Sequence, residues 1–129
     1  MGNYLDKLNP EQRKAVQHIN GPLMVIAGAG SGKTRVLTYR IVHLLKNNVS
    51  PFNILSLTFT NKAAKEMRNR IETMVGKNIS SSLWMGTFHS VFSRILRIES
   101  EKLNYPQNFT IYDTDDSKSL IRSIIKELN

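Results

Sequence analysis

The first candidate for chemistry is a glycine-rich stretch, VIAGAGSGKT, from Val25 to Thr34. Glycines at positions 28, 30 and 32 are followed at once by Lys33 and Thr34. Between a strand and a helix, glycines at this spacing let the backbone wrap a phosphate with its N–H groups pointing inward. Lys33 would neutralise the β- and γ-phosphates of a nucleotide, and the Thr34 hydroxyl would coordinate Mg²⁺. The stretch predicts a phosphate-binding loop rather than an accidental flexible turn, although Ala27 replaces the usual first glycine.

Nucleotide turnover requires acidic side chains in addition to such a loop. Enzymes with a phosphate-binding loop hold the metal ion with an acid at the end of a second strand. Among the ten acidic residues, only Asp113, which follows the β-rich segment 109–112, resembles an acid of that kind. A role as N-cap of the next helix explains Asp113 better. The sequence therefore predicts nucleotide binding without a convincing metal-side acid.

Two further segments combine an aromatic ring with polar side chains. Phe59-Thr60-Asn61-Lys62 closes the second predicted strand, and Gly86-Thr87-Phe88-His89-Ser90 closes the third. The carboxyl ends of parallel strands meet at one edge of the sheet, where ligands gather in open α/β folds. Rings that stack on bases, beside groups that contact phosphates, favour single-stranded nucleic acid as the ligand. The alternative is that Phe59 and Phe88 are core residues and that His89 is a surface or capping group.

The distribution of charge also favours a polyanionic partner. The net charge is +8, and the segment 33–97 holds eleven Lys and Arg residues but only two acids. A solvated basic face would have the same composition. With 40% hydrophobic residues and no cysteine, the chain is expected to be soluble and cytoplasmic, without disulfides or zinc–cysteine sites. No segment is as long as a membrane span and the polar N-terminus is no signal peptide, so no membrane partner is expected.

The predicted elements alternate between strands and amphipathic helices. Asn9 and Gln12 flank Pro10 as N-cap and capping-box residue of a first helix. Short apolar runs predict strands at Leu23–Ala27, Ile54–Thr60 and Leu83–Met85. Helical spacing links Leu37, Ile41, Leu44 and Leu45, then Ala64, Met67, Ile71, Met74 and Val75, then Phe88, Val91, Phe92, Ile95 and Leu96. This alternation is typical of a parallel sheet covered by helices.

The C-terminal region has a different character. A loop-like segment, 104–108, precedes a helix with an apolar stripe. The stripe consists of Leu120, Ile121, Ile124, Ile125 and Leu128. It needs a partner, and two or three short strands are too few for a complete sheet. At 129 residues there is room for one ordinary domain, and we expect the sequence to be part of something longer.

Four motifs resemble those of a known family. LNPEQRKAV, AGAGSGKTRVL, LTFTNKAAKEMRNRI and GTFHSVFSRILR are similar to the Q motif, motif I, motif Ia and the next DNA-contacting motif of superfamily 1 DNA helicases of the UvrD/Rep/PcrA type. The resemblance runs from Leu8 to the end, since NFTIYDTDDSKSLIRSIIKEL is similar to the opening of their inserted helical domain. The alanine at position 27 also fits the resemblance, because AGAGSGKT is a common sequence of this loop in the family.

The resemblance implies a fold and an activity. The fold is α/β, an incomplete RecA-like P-loop parallel sheet with covering helices, followed by the start of a helical insertion. Residues 1–103 would belong to the ATP-binding motor domain and residues 104–129 to the insertion. The activity is ATP hydrolysis coupled to 3′-to-5′ translocation on single-stranded DNA and unwinding at junctions with duplex, in bacterial repair or replication, in the cytosol or nucleoid. Because the second motor domain and an Asp-Glu motif have no counterpart here, the chain alone is expected to bind ATP and DNA weakly and to hydrolyse ATP negligibly.

The resemblance also implies roles for individual residues. Lys33 and Thr34 would be catalytic, with Thr34 on Mg²⁺. Gln12 would read the adenine edge, in competition with its capping role, and Arg13 and Arg35 would lie beside the base or phosphates unless they are surface cations. The implied ATP-binding residues are Gln12, Arg13, Ala27, Gly28, Ala29, Gly30, Ser31, Gly32, Lys33, Thr34 and Arg35. The implied DNA-binding residues are Phe59, Thr60, Asn61, Lys62, Thr87, Phe88 and His89.

Two other functional classes stay open at this point. A small P-loop phosphotransferase would need an acid or an arginine lid for its acceptor substrate, and it should ignore DNA. A non-catalytic nucleic-acid-binding module with a vestigial loop would bind DNA regardless of ATP and of the substitution Lys33→Ala.

Overall fold

The computed structural model describes residues 3–112 and 114–128, and Asp113, the candidate strand-end acid, lies outside these residues. The chain divides into two compact units, Met1–Val91 and Phe92–Asn129. The regular elements are α1 (Pro10–Gln17), α2 (Lys33–Lys46), β1 (Leu55–Thr58), α3 (Asn61–Val75), α4 (Lys77–Ser81), β2 (Trp84–Thr87), α5 (Phe88–Ile98) and α6 (Thr114–Leu128). Single 3-10 turns lie at Tyr4–Lys7, Pro51–Asn53 and Ser100–Leu103.

The sheet consists of β1 and β2, which pair in parallel. The register aligns Leu55 with Trp84 and Thr58 with Thr87, so both strands end at the same edge. The crossover between them contains α3 and α4. This confirms the prediction of a parallel sheet with covering helices, the architecture of an incomplete RecA-like domain, although both strands differ by a few residues from the predicted ranges.

The predicted strand Leu23–Ala27 is wrong. The segment has no strand pairing, and Met24 and Ile26 are 83% and 88% exposed. A strand is stable only when its N–H and C=O groups pair with a neighbour. Among residues 3–112 and 114–128, the sheet comprises β1 and β2 alone, and neither pairs with this segment. Its apolar composition is typical of a buried strand. The strands with which it would form backbone hydrogen bonds are not among the described residues.

Two apolar clusters form the core of the first unit. The larger joins α2, α3, β2 and the residue before β1, and contains Ile41, Val42, Ile54, Met67, Ile71, Leu83 and Met85. The smaller joins the N-terminal turn, α1 and α2, and contains Leu5, Leu8, Val16 and Val36. Because α2 is packed on two sides, its buried residues are Val36, Thr38, Ile41 and Val42. Leu37, which lies in α2 at the predicted helical spacing, is 37% exposed.

The N-terminal segment is fixed to α2 by polar contacts. The Tyr4 hydroxyl and His43 Nδ1 form a hydrogen bond of 2.6 Å, and burial raises the pKa of Tyr4. The Arg40 guanidinium donates to the carbonyl oxygens of Ala15, at 2.9 Å, and His18. These carbonyls lie in the last turn of α1 and just beyond it, where backbone acceptors have no helical partner. The contacts therefore hold α1 against the helix that follows the glycine loop.

The second unit contains the greater part of α5 and all of α6. The Arg97 guanidinium lies 5.6 Å from the centre of the Phe109 ring. The predicted helix with an apolar stripe is present as α6, and the whole stripe from Leu120 to Leu128 is exposed. Of the stripe predicted for α5, only Val91 is buried. Within 3–112 and 114–128, no helix is long and apolar enough to cross a membrane.

Candidate functional site

The glycine loop passes directly into α2. Gly30 and Gly32 have φ angles of 74° and 87°, values that residues with a Cβ rarely adopt, so the turns depend on glycine. Ser31 fixes the loop internally, because its N–H and its hydroxyl both donate to the Gly28 carbonyl, at 3.3 and 2.6 Å. The helix that begins at Lys33 aims its free N–H groups toward the loop. This is the backbone arrangement that binds a phosphate group.

The lysine of the loop folds back over it. Lys33 Nζ donates to the carbonyl oxygens of Ala27, at 2.9 Å, and Gly28, at 2.7 Å. Both contacts are exposed to solvent, so the ammonium group is accessible. An ammonium group has three donors. One donor is therefore available for a phosphate oxygen while the loop carbonyls hold the other two.

A cavity of about 430 Å³ opens over the loop. Its lining residues are Gln12, Gly30, Ser31, Gly32, Lys33, Thr34, Arg35, Glu66 and Arg70. The structure thus brings together most of the residues predicted to bind nucleotide, with Ala27 and Gly28 joined to them through Lys33. Ala29 lies in the same loop, between Gly28 and Gly30.

Arg13 is not brought to this cavity. Its guanidinium donates to the Leu5 carbonyl at 3.1 Å and to the Asp6 carboxylate at 3.3 Å. These contacts tie α1 to the N-terminal turn. Arg13 lines a separate cavity beside Leu8 and His18.

Glu66 and Arg70 are cavity residues that sequence reasoning missed. They lie four positions apart on α3, a spacing that puts two side chains on one face of a helix. The available signal was the position of α3 directly after β1, whose carboxyl end lies at the ligand edge of the sheet. Arg70 adds a second guanidinium to that of Arg35, and both also line an adjoining groove of about 990 Å³.

Gln12 makes the capping contacts that the sequence predicts and a further contact to the glycine loop. Its Oε1 accepts the Asn9 N–H at 3.2 Å, and its own N–H donates to Asn9 Oδ1 at 2.8 Å. Its Nε2 donates to the Ser31 carbonyl at 3.1 Å. The capping box of α1 is therefore formed as predicted, and the same side chain also contacts the glycine loop.

The residues at the cavity include oxygen donors that suit a divalent cation. The Thr34 hydroxyl and the Glu66 carboxylate both line it, and Mg²⁺ prefers such ligands. Within the described ranges, no three His, Asp or Glu side chains come together. A Mg²⁺ ion here would thus need phosphate or water oxygens to complete its coordination, as is usual for that ion.

The two aromatic clusters meet at the carboxyl edge of the sheet. The ring centres of Phe59 and Phe88 are 5.5 Å apart, with an angle of 39° between the ring planes. Phe59 is 91% exposed and Phe88 is 42% exposed. The alternative that these two rings are core residues is therefore wrong.

The polar residues of this edge are neighbours of the two rings in sequence, and among them Thr87 is buried. Thr60 Oγ1 accepts the Ala63 N–H at 3.2 Å and caps α3. Thr87 Oγ1 likewise accepts the Ser90 N–H at 3.2 Å in the first turn of α5. Asn61 and Lys62 begin α3, and His89 lies in the first turn of α5, all three exposed. The hydroxyls thus fix the helix starts that carry the rings.

A phosphate-binding loop before a helix, together with parallel strands that end in exposed rings, defines a P-loop α/β protein with a ligand edge. The family described as UvrD/REP helicase N-terminal domain matches residues 8–129. The chain belongs to this family.

Two named relatives give the scale of the similarity. The chain is 51% identical over 130 aligned positions to an ATP-dependent DNA helicase PcrA of Staphylococcus epidermidis. It is 49% identical, over the same length, to an ATP-dependent DNA helicase PcrA of Staphylococcus aureus. Each alignment covers 100% of this chain and 18% of the relative, so the chain spans about a fifth of the length of these proteins.

Proposed function

We propose that this chain is the ATP-binding and single-stranded-DNA-contacting N-terminal part of an ATP-dependent DNA helicase. The whole protein would move 3′ to 5′ along one strand, unwind duplex at junctions, and act in repair or replication in the bacterial cytosol or nucleoid. Membership of the UvrD/REP family supports the proposal, as does the similarity to two ATP-dependent DNA helicases. The loop and the aromatic edge lie in one compact unit, as a motor domain requires.

The nucleotide would bind with its phosphates on the glycine loop. Backbone N–H groups of the loop and of the first turn of α2 would donate to phosphate oxygens, and the Lys33 ammonium would neutralise them. Mg²⁺, held by Thr34, would spread the remaining negative charge of the phosphates. The guanidinium groups of Arg35 and Arg70 add positive charge at the same cavity and form strong hydrogen bonds to phosphates.

The DNA strand would cross the edge formed by Phe59 and Phe88. Every base has a π face, so two exposed rings provide stacking platforms without a sequence requirement. The surrounding polar groups would contact the sugar and phosphate oxygens. These groups belong to Thr60, Asn61, Lys62, Thr87 and His89.

The observation that carries the proposal is the exposed ring pair at the sheet edge. Exposure alone does not indicate a ligand, since Met24 and Ile26 are exposed for want of a strand partner. Two exposed rings whose centres lie 5.5 Å apart at the carboxyl edge of the sheet are the arrangement that stacks on bases. A phosphotransferase needs the loop and a site for one base, but not a pair of rings outside the cavity over the loop. A protein that hydrolyses ATP while it holds a DNA strand uses both features.

Removing one ring is expected to weaken DNA binding. Phe59→Ala should raise the dissociation constant for a labelled oligothymidylate roughly 5- to 100-fold, because stacking contributes about 1–3 kcal/mol per base. Fluorescence anisotropy over a range of salt concentrations measures the change. In the wild type, the logarithm of affinity should fall with the logarithm of salt, with a slope of about 0.7 per neutralised phosphate.

The matched control is Phe52→Ala. Phe52 is 67% exposed but lies in the 3-10 turn before β1, away from the ring pair. The Phe52→Ala substitution should leave the dissociation constant for the oligothymidylate unchanged. Equal effects of the two substitutions would contradict the proposed edge, and a wild-type chain that ignores DNA would favour the phosphotransferase.

The carboxylate in the cavity gives a prediction about metal removal. Glu66→Gln removes a negative charge that would repel a metal-free triphosphate. In the presence of EDTA, the Glu66→Gln variant should bind ATP roughly two- to fivefold more tightly than the wild type. The gain is small because the interaction of exposed charges is modest. With Mg²⁺ the gain should be smaller or reversed, because the ion offsets the repulsion.

Calorimetric titration with and without Mg²⁺ measures both values. Glu72→Gln is the control, because Glu72 lies on the same helix and is not among the cavity residues. An unchanged ratio between the two conditions in Glu66→Gln would exclude an influence of Glu66 on bound phosphate.

We also propose how the chain relates to the whole motor. Residues 1–103 would form part of the first motor domain and residues 104–129 would begin its helical insertion. A second motor domain would complete the ATP site, and its closure around nucleotide would drive stepping. The chain alone would therefore bind ATP and DNA weakly and hydrolyse ATP negligibly.

A further inference from the structure

The side-chain amide of Gln12 links the first helix to the phosphate-binding loop. Its Oε1 is held by the Asn9 N–H at 3.2 Å, and its Nε2 donates to the Ser31 carbonyl at 3.1 Å. The amide is thus restrained at both ends. The bond to Ser31 joins residues 19 positions apart, which makes it a tertiary contact rather than a local cap.

Gln12 is also in close contact with the backbone of the loop. A Cβ placed on Gly32 would lie 2.7 Å from Gln12 Nε2, so the amide occupies the space that a side chain at position 32 would take. Gly32 is the residue before Lys33, and its N–H belongs to the proposed cradle for phosphate, whereas the Ser31 N–H is held by the Gly28 carbonyl. The amide therefore supports the part of the loop from which the phosphate contacts arise.

The helix that carries Gln12 is itself fixed. Arg40 of α2 donates to the Ala15 carbonyl at 2.9 Å and to that of His18, and Val16 is fully buried against Val36 and its neighbours. A contact made from such a framework restrains the loop more than one made from another loop would. Loops without such contacts sample several conformations and lose binding free energy when they are ordered by a ligand.

We propose that Gln12 is a positioning residue for the glycine loop and contributes to affinity for the phosphate chain itself, whatever base is attached. The proposal rests on the nucleotide function proposed above and goes beyond base recognition. A residue that only reads adenine affects ligands with a base. A residue that positions the loop also affects a ligand that has phosphates alone.

Inorganic tripolyphosphate is the probe that separates the two roles. Gln12→Met keeps the length of the side chain but removes both amide contacts. It should weaken the binding of tripolyphosphate and of Mg-ATP by a similar factor of about three- to tenfold, the effect of one lost hydrogen bond. Glu11→Gln is the control, because Glu11 is exposed on the same turn of α1 and its replacement leaves both ends of the Gln12 amide in place. It should change neither affinity by more than about twofold.

Amide hydrogen exchange gives a second readout that needs no ligand. Gln12→Met should speed exchange of the Ser31 N–H several-fold while the amides around Ile41, in the middle of α2, keep their wild-type rates. Gln12→Glu retains an oxygen for the Asn9 N–H and removes only the donor to Ser31, so it should reproduce the faster exchange even if Gln12→Met fails to fold.

The outcomes are distinguishable. Loss of ATP affinity with unchanged tripolyphosphate affinity and unchanged Ser31 exchange would overturn the proposal and leave Gln12 as a reader of the base. If the wild-type chain binds neither ligand, the proposed nucleotide function fails, and the exchange rates alone decide whether Gln12 positions the loop.

Discussion

Replacing Lys33 with alanine is expected to reduce the affinity for Mg-ATP at least about 30-fold. The ammonium group already lies at the loop, within 2.9 Å of the Ala27 and Gly28 carbonyls, so it needs little movement to reach a phosphate oxygen. A hydrogen bond between charged groups contributes about 1.5–3 kcal/mol, and losing one such bond together with the ammonium charge at the phosphates corresponds to roughly 30-fold or more. Calorimetric titration of Mg-ATP into wild-type and Lys33→Ala chains measures the difference.

The control for charge is Lys77→Ala. Lys77 is an exposed residue at the start of α4 and is not among the cavity residues, so its replacement lowers the net charge equally without touching the loop. Its affinity for Mg-ATP should stay within about twofold of the wild type. If Lys33→Ala binds as tightly as Lys77→Ala, the phosphates do not lie on the glycine loop.

Replacing Gly32 with alanine is expected to disrupt both the loop and nucleotide binding. At φ +87° an alanine is strained by about 1–2 kcal/mol, and its Cβ would lie 2.7 Å from Gln12 Nε2. The Gln12 side chain must move away, so the loop loses its hydrogen bond to Gln12 and leaves its present backbone conformation. We expect the free energy of unfolding to fall by about 1–2 kcal/mol and Mg-ATP affinity to fall at least about tenfold.

Gly28→Ala is the control for stability. A Cβ at Gly28 meets nothing within 4 Å, and its φ is not positive. Its free energy of unfolding in urea should match the wild type within about 0.5 kcal/mol. A Gly32→Ala chain as stable as Gly28→Ala would show that the loop does not hold the positive φ found at Gly32.

Local signals in the sequence were sufficient for several features of the fold. The capping box of α1 forms between Asn9 and Gln12 as predicted, because it depends on residues three positions apart. The end of α3 at Gly76 likewise follows from local chemistry. The parallel pairing of β1 and β2 follows from the long helical connection between two apolar runs.

The meeting of Phe59 and Phe88 at one edge was also predictable from topology. Parallel strands in register bring their carboxyl ends together, and each ring stands at such an end. Composition alone left open whether the rings were buried. Their exposure depends on what lies above the edge, which periodicity does not encode.

The remaining differences arise from tertiary structure. An apolar run such as Leu23–Ala27 indicates burial but not the presence of a pairing partner. The helical spacing that begins at Leu37 predicts α2 but does not specify which of its residues are buried, since α2 packs on two sides. Arg13 could not be assigned from sequence because a cation has many carboxylates and carbonyls within reach, and its contacts with Leu5 and Asp6 depend on the fold of the N-terminal turn.

We infer that one compact unit holds a phosphate cradle and a single-stranded-DNA edge at separate places. The most direct test is a ¹⁵N–¹H NMR titration of the chain, first with Mg-ATP and then with an oligothymidylate. Mg-ATP should shift the amide signals of residues 28–35, and the oligonucleotide should shift those of residues 59–62 and 87–89. Shifts from both ligands at the same residues, or shifts from the oligonucleotide that leave the Phe59–Phe88 edge unchanged, would contradict it.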